Sequence, residues 1–247
     1  MNAATVDDLL TRELRDDRTG LVDVTGREYD YHWLCTTAWK SGNFLRHAGV
    51  REGVTVGVVG DGPLALLAFL GTTLLEGQTR FDPPTDLADD DAFRALVAPV
   101  DELEDYDLPQ GAQRVGYGDK PDSPDVHHFD AGVWTENPSF PPLSIDPDTT
   151  ILTDGEQTVT HDQVLEAADA VVDDVGLEAG DRVVVRASLS DPRTVVAGVI
   201  APLLGRGVIV LPTGDETPTA RGTCAVASES TASVPEPTRI DLDSVAL

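Results

Sequence analysis

The chain has 247 residues, long enough for more than one α/β layer, and 40% of them are hydrophobic, so it can bury a core and does not have the composition of a disordered segment. Its 17 Lys plus Arg stand against 44 Asp plus Glu, a formal net charge of -27. Nucleic acid and anionic membranes are thereby excluded as expected partners, because binding them requires clustered cations and the basic residues here are scattered.

The acidic residues divide into 31 Asp and 13 Glu, and lysine occurs only at Lys40 and Lys120. Such a surface repels itself in dilute buffer. Molar salt shortens the screening length to about 3 Å, which leaves only close neighbours to interact. The coat is therefore read as adaptation to a salt-rich cytoplasm. No positively charged leader precedes the first apolar stretch, which follows Asp7 and Asp8, so no signal peptide is expected. The most hydrophobic stretch, Val195 to Leu211, is interrupted by glycine, proline and Arg206 and reads as a core helix followed by a strand rather than a membrane span. Cys35 and Cys224 lack metal or redox spacing; each is expected as a buried thiol, with a disulfide between distant elements as the alternative.

Along the chain, Ala4 to Arg15 predicts a short helix capped by Thr5, with Asp7 and Asp8 near its positive end. Gly20 to Tyr31 predicts a hairpin around Thr25-Gly26-Arg27, and Tyr31 to Ala48 a helix that Gly49 ends. Val54 to Val59 reads as a buried strand, Pro63 to Leu75 as a helix and Thr79 to Phe81 as a strand stopped by Pro83 and Pro84. From Asp82 to Thr149 the chain is rich in Asp and Pro, with short elements at Phe93 to Val97 and Gln113 to Gly116. The Pro-rich stretch from Pro138 to Pro147 marks the expected internal boundary, giving a first subdomain at 1–148 with an acidic connector and a second at 149–247. Beyond it come a strand at Ile151 to Thr153, a turn at Asp154-Gly155, a helix from His161 to Val175, a strand at Arg182 to Arg186, a helix near Thr194 to Leu204 and a strand at Val208 to Leu211. The expected fold is α/β, two layered subdomains with mainly parallel sheets, since helices alternate with short aliphatic strands. Gly49 to Val56 and Gly176 to Val183 read as one helix-to-strand turn used twice, which either duplication or the need for glycine at tight strand entries explains.

Several residues invite a chemical reading. Asp154 and Glu156 could hold a divalent ion that in turn holds phosphate, or simply form a solvated turn. Asp125, His127, His128 and Asp130 include zinc-ligating types, but adjacent histidines on a strand point to opposite faces. His161 stands at a helix start, where a structural role competes with catalysis. Ser188, Ser190 and Asp191 form a polar strand-end cluster without an ordered base to activate a serine. Gly57, Gly60 and Gly62 miss the dinucleotide spacing and fit a strand-to-helix turn. Arg182, Arg186 and Arg193 are the best sources of positive charge in the second half, with ion pairing as their expected role. No catalytic residue, cofactor-binding residue, metal ligand or cofactor is assigned.

Thr158-Val159-Thr160-His161 and the helix after it, Gly176 to Val183, and Gly198 to Gly207 resemble the stretch downstream of the phosphate loop in the AMP-forming acyl-CoA synthetase and adenylate-forming ligase superfamily. Gly26 to Leu34, Gly49 to Val59 and Leu75 to Thr79 resemble that family's opening helix and first core strands, in the same order. The resemblance covers most of the chain as an amino-terminal portion. It implies activation of a carboxylate by ATP as an acyl-adenylate, followed by transfer to a thiol such as coenzyme A. It also implies a loop of the form Thr-Ser-Gly-Thr-Thr-Gly-x-Pro-Lys-Gly immediately before the segment matched by Val159-Thr160-His161. This chain has Thr153-Asp154-Gly155-Glu156-Gln157-Thr158 there, shorter, without the lysine, and with two carboxylates that would face a polyphosphate with like charge. The family's later aromatic-Gly-x-Thr-Glu motif, its ribose-binding Asp and its lysine-bearing domain have no counterpart in these 247 residues. The expectation is a non-catalytic relative acting through protein association, as a homodimer or with another protein. The alternative is an acyl- or nucleotide-binding chain, binding ATP or coenzyme A, or an acid-thiol ligase completed by a partner; a regulatory module binding a ligand near Gly60 or Ser188 is a further class.

Overall fold

A computed structural model of the chain describes residues 3–139, 141, 143–211, 221–228, 231 and 233–247. Among these the first half runs through β1 (Thr19–Val22), β2 (Glu28–Asp30), α1 (Tyr31–His47), β3 (Thr55–Val58), α2 (Pro63–Thr73), β4 (Gln78–Phe81), β5 (Phe93–Pro99), β6 (Gln113–Tyr117), β7 (Val126–His128) and α3 (Phe129–Thr135). The second half runs through β8 (Thr150–Thr153), β9 (Thr158–Thr160), α4 (His161–Val175), β10 (Arg182–Val185), α5 (Pro192–Val195), a π-helical turn (Val196–Ile200), α6 (Ala201–Gly205), β11 (Val208–Val210), β12 (Cys224–Ala227) and β13 (Thr238–Asp241).

Two compact units result. The first joins Met1–Cys35 to Val159–Leu247, and the second is Thr36–Thr158. The division differs from a linear cut at 148/149 because β1 and β2, at the start of the chain, lie in the sheet built by its last hundred residues. Within the Pro138 to Pro147 stretch that suggested the cut, Phe140 and Pro142 lie outside the described residues.

In the first unit a six-stranded sheet has the order β13-β12-β10-β11-β1-β2. All its neighbours are parallel except the β1–β2 hairpin. Val22, Val184, Val208, Val210 and Ala225 pack together as one apolar cluster of this sheet. The helix over it covers Pro192 to Gly205 but changes register midway, where the Ala201 amide reaches the Val196 carbonyl. Pro202 has no N–H to offer its preceding turn, and a widened turn beside a proline is a common accommodation. In α4, Thr160 and Gln163 form a reciprocal capping box, the buried positions His161, Val164, Leu165, Ala168 and Val171 recur at helical spacing, and Gly176 takes the left-handed conformation (φ 62°) that ends the helix.

The predicted helix at Ala4 to Arg15 forms instead as two 3-10 turns, Val6–Leu10 and Arg12–Leu14, separated by an extended Thr11. The tighter winding eclipses Val6 with Leu9, so that both are buried together with Leu10. Asp8 accepts the amide protons of Ala4 and Thr5 at 2.8 and 3.3 Å.

In the second unit a seven-stranded sheet has the order β7-β6-β5-β3-β4-β8-β9. β3 is flanked by β4 and β5, both parallel to it, and Val56 and Val58 are fully buried. α2 is buried from Ala65 through Thr73, as a helix apolar on all faces must be. β5 and β6 lie where the sequence predicts short elements at Phe93 to Val97 and Gln113 to Gly116, whereas β7, α3, β9, β12 and β13 are not predicted. The order β6-β5-β3-β4 in this sheet is the order β13-β12-β10-β11 in the other, and each set is preceded by paired strands and a helix. The repeat is thus one of topology and not only of the Gly49 and Gly176 turns.

Candidate functional site

The place that the sequence singles out is the connection between β8 and β9, with the start of α4 after it. Thr153 Oγ1 donates to the Gln157 carbonyl at 2.8 Å and accepts the Gly155 amide at 3.0 Å. Asp154 Oδ1 accepts the amides of Glu156 and Gln157 at 2.8 and 2.7 Å. Three successive backbone donors are therefore satisfied by the side chains of the turn itself. The Gln157 and Glu156 amides hold the Asp154 carboxyl below the usual carboxylate range, and the charge of Arg80 acts in the same direction.

Arg80, from β4, is the cation that sequence reasoning missed here. Its guanidinium lies so close over the turn that a β-carbon on Gly155 would overlap it, and Gly155 has φ 98°, where only glycine is unstrained. Nothing in the spacing announces this. The pairing of β4 with β8, through Thr79 and Leu152, creates the contact.

At the start of α4, His161 is fully buried and its Nδ1 accepts the Val6 amide at 3.0 Å. Burial pushes its pKa down to about 4, against a smaller opposing influence of Asp8. Nε2 has no hydrogen-bond partner among the described residues.

The other candidates are dispersed. His127 Nε2 meets Gln113 Oε1 at 3.1 Å, while His128 Nε2 is 3.7 Å from Asp130 Oδ2, which also accepts the Gly118 amide. Among the described residues no three His, Cys, Asp or Glu side chains converge as a metal site. Ser188 and Ser190 bond to each other at 2.8 Å, and Asp191 caps α5 by accepting the Arg193 amide. Gly57 lies within β3, Gly60 in the connection after it, and Gly62 at the cap of α2. Arg182 pairs with Glu28, Arg193 with Asp191 and Asp243, and Arg186 with the buried Glu236 at 2.6 Å. Burial alone would raise the Glu236 carboxyl, but Arg186 and the Arg221 amide bring it below the usual range. Cys35 and Cys224 are free, buried thiols whose pKa burial pushes up to about 11.

A groove of about 550 Å³ lies in the first unit between the outer face of α4 and the last residues of the chain, with Ala167, Ala170, Val171, Ile240 and Val245 among its lining. Trp134 and Leu247 are the exposed large hydrophobic side chains among the described residues. No helix among them is long and apolar enough to cross a membrane.

No family model and no curated protein matches the chain. Solved structures do. A benzoate CoA ligase from Burkholderia xenovorans aligns with 96% of this chain and 55% of its own, at a TM-score of 0.78 and 17% identity. An anthranilate CoA ligase in complex with anthranoyl-AMP aligns with 91% of this chain and 49% of its own, at 0.73 and 17% identity. ATP-bound MatB from Rhodopseudomonas palustris aligns with 92% and 50%, at 0.73 and 16% identity. The fold is accordingly that of the amino-terminal core of adenylate-forming acyl-CoA ligases. The chain spans about half the length of these enzymes.

Proposed function

We propose that the chain provides the binding scaffold of an adenylate-forming ligase: it takes an acyl or nucleotide ligand, or is completed by a second polypeptide into an acid-thiol ligase, and does not form an acyl-adenylate by itself. The observation that carries this reading is the extent of the fold, 96% of the chain aligned on a CoA ligase at a TM-score of 0.78. A scaffold matched over that length supports ligand binding. The turn supports the lack of adenylation by the chain alone, because Asp154 already occupies the Glu156 and Gln157 amides. Titration calorimetry in molar KCl with ATP, coenzyme A and a non-hydrolysable acyl-adenylate tests it: saturable heat with at least one ligand is expected, and silence with all of them defeats ligand binding by the chain alone.

A second reading, a non-catalytic relative working through association with another protein or with its own copy, is favoured by the same saturated turn. The scarcity of exposed large hydrophobic side chains among the described residues weighs against a broad apolar interface. In either case the acidic coat and scarce lysine support a salt-rich cytoplasm as the place of action.

A further inference from the structure

The amino-terminal segment, residues 4–15, docks on the first unit without joining its sheet. Val6, Leu9 and Leu10 are buried, Leu14 offers its carbonyl to Arg206 Nη2 at 3.0 Å, and Val6 donates its amide proton to His161 Nδ1 at 3.0 Å. That last bond fixes the tautomer. A ring that accepts at Nδ1 carries its proton on Nε2, and this Nε2 is buried without an acceptor among the described residues.

We propose that His161 is a proton-sensitive latch for residues 4–15: protonation at Nδ1 removes the acceptor of the Val6 amide and releases the segment from α4 while the rest of the first unit stays folded. A second proton turns the acceptor into a donor aimed at another donor and places a charge where no solvent reaches. Asp8, on the segment itself, is the charged group whose field reaches the ring and favours the proton. On α4 the neighbouring Asp162 is exposed, and the helical stretches packed against α4, Val196–Ile200 and Ala201–Gly205, contain no ionisable side chain. The docked state therefore has little to offset the buried charge, whereas undocking returns the imidazole to water. Release is local because the segment's 3-10 turns make no sheet pairing, unlike β10 or β11. The drop from an ordinary histidine to about 4 means that docking weakens about 20-fold between pH 7 and pH 5.

Amide hydrogen exchange of the full chain in molar KCl, expressed as protection relative to intrinsic rates, reads the latch directly. Between pH 7 and pH 5, Val6, Leu9 and Leu10 should lose about 20-fold in protection while the β10 amides keep theirs, and His161→Asn, which retains an acceptor but cannot titrate, should abolish the loss. Equal pH dependence in wild type and variant, or loss of protection by β10 together with the segment, overturns the proposal. Where the variant does not fold, ring-nitrogen NMR of the wild type decides: titration of His161 in step with release of Val6 supports the latch, and titration near 6.5 with Val6 still protected overturns it.

Discussion

The Gln157 amide donates to Asp154 Oδ1 at 2.7 Å, one residue beyond the Glu156 amide that shares the same oxygen. A carboxylate thus sits where an incoming anion would have to compete for the same donors, and the Arg80 guanidinium lies over the turn at Gly155. The two features give the turn a charge and a shape that can be tested by substitution.

Gly155→Ala should destabilise the fold by about 1–2 kcal/mol from backbone conformation alone, because the position needs a positive φ. Overlap with Arg80 adds to that cost. Denaturant unfolding of the single and double variants separates the two contributions: Gly155→Ala should cost less in an Arg80→Ala background than in the wild type, and equal costs would mean that the guanidinium does not constrain the turn.

Arg186 and Glu236 test the first unit. The Glu236 side chain is wholly buried and Arg186 nearly so. Removing one partner, as in Arg186→Met, leaves an uncompensated charge and should cost about 3–5 kcal/mol, whereas replacing both with apolar residues of similar size should cost much less. Chemical unfolding midpoints of the wild type and these two variants in molar KCl measure the difference.

Much of this architecture was legible. The alternation of helices with unbroken aliphatic strands such as Val183-Val184-Val185 signals parallel sheets covered on both faces, and α4 announces both of its ends through Thr160, Gln163 and Gly176. What escaped was non-local. β7 and β9 are three-residue strands with no periodicity to read, and the placement of β1 beside β11 depends on Leu21 meeting Ile209 across most of the chain. At the turn, Asp154, Glu156 and the lack of a lysine at 153–158 were visible in the sequence, but Arg80 entered only through strand pairing. The role of His161 as acceptor for Val6 was equally invisible, since a histidine at a helix start suggests capping or catalysis before it suggests a tie to a segment 155 residues away.

Acidification should destabilise the fold through His161. Its folded pKa of about 4 lies below its unfolded value of about 6.5, so its contribution is complete above the unfolded value and is lost as pH falls from there toward 4. The full loss amounts to about 3 kcal/mol. Asp7 acts oppositely, because burial raises its pKa and favours the protonated acid in the folded state. Unfolding free energies from pH 7.5 to 4.5 should fall more steeply in the wild type than in His161→Asn, and parallel curves would remove His161 as the cause.

Salt should act on the whole surface. With a net charge of -27, transfer from molar KCl to millimolar salt restores repulsion that a screening length of about 3 Å had suppressed. The melting midpoint is expected to fall on dilution, and a midpoint that holds or rises would contradict the reading of the acidic coat as adaptation to salt.

Carboxylate-dependent release of pyrophosphate from ATP by the isolated chain, assayed in molar KCl across aliphatic and aromatic acids, addresses the proposed function most directly. The account predicts background rates with every acid, because the Gly155, Glu156 and Gln157 amides are already engaged by Thr153 and Asp154. Release that requires a particular carboxylate and disappears in Thr158 and His161 variants would contradict it and make this chain an adenylating enzyme in its own right.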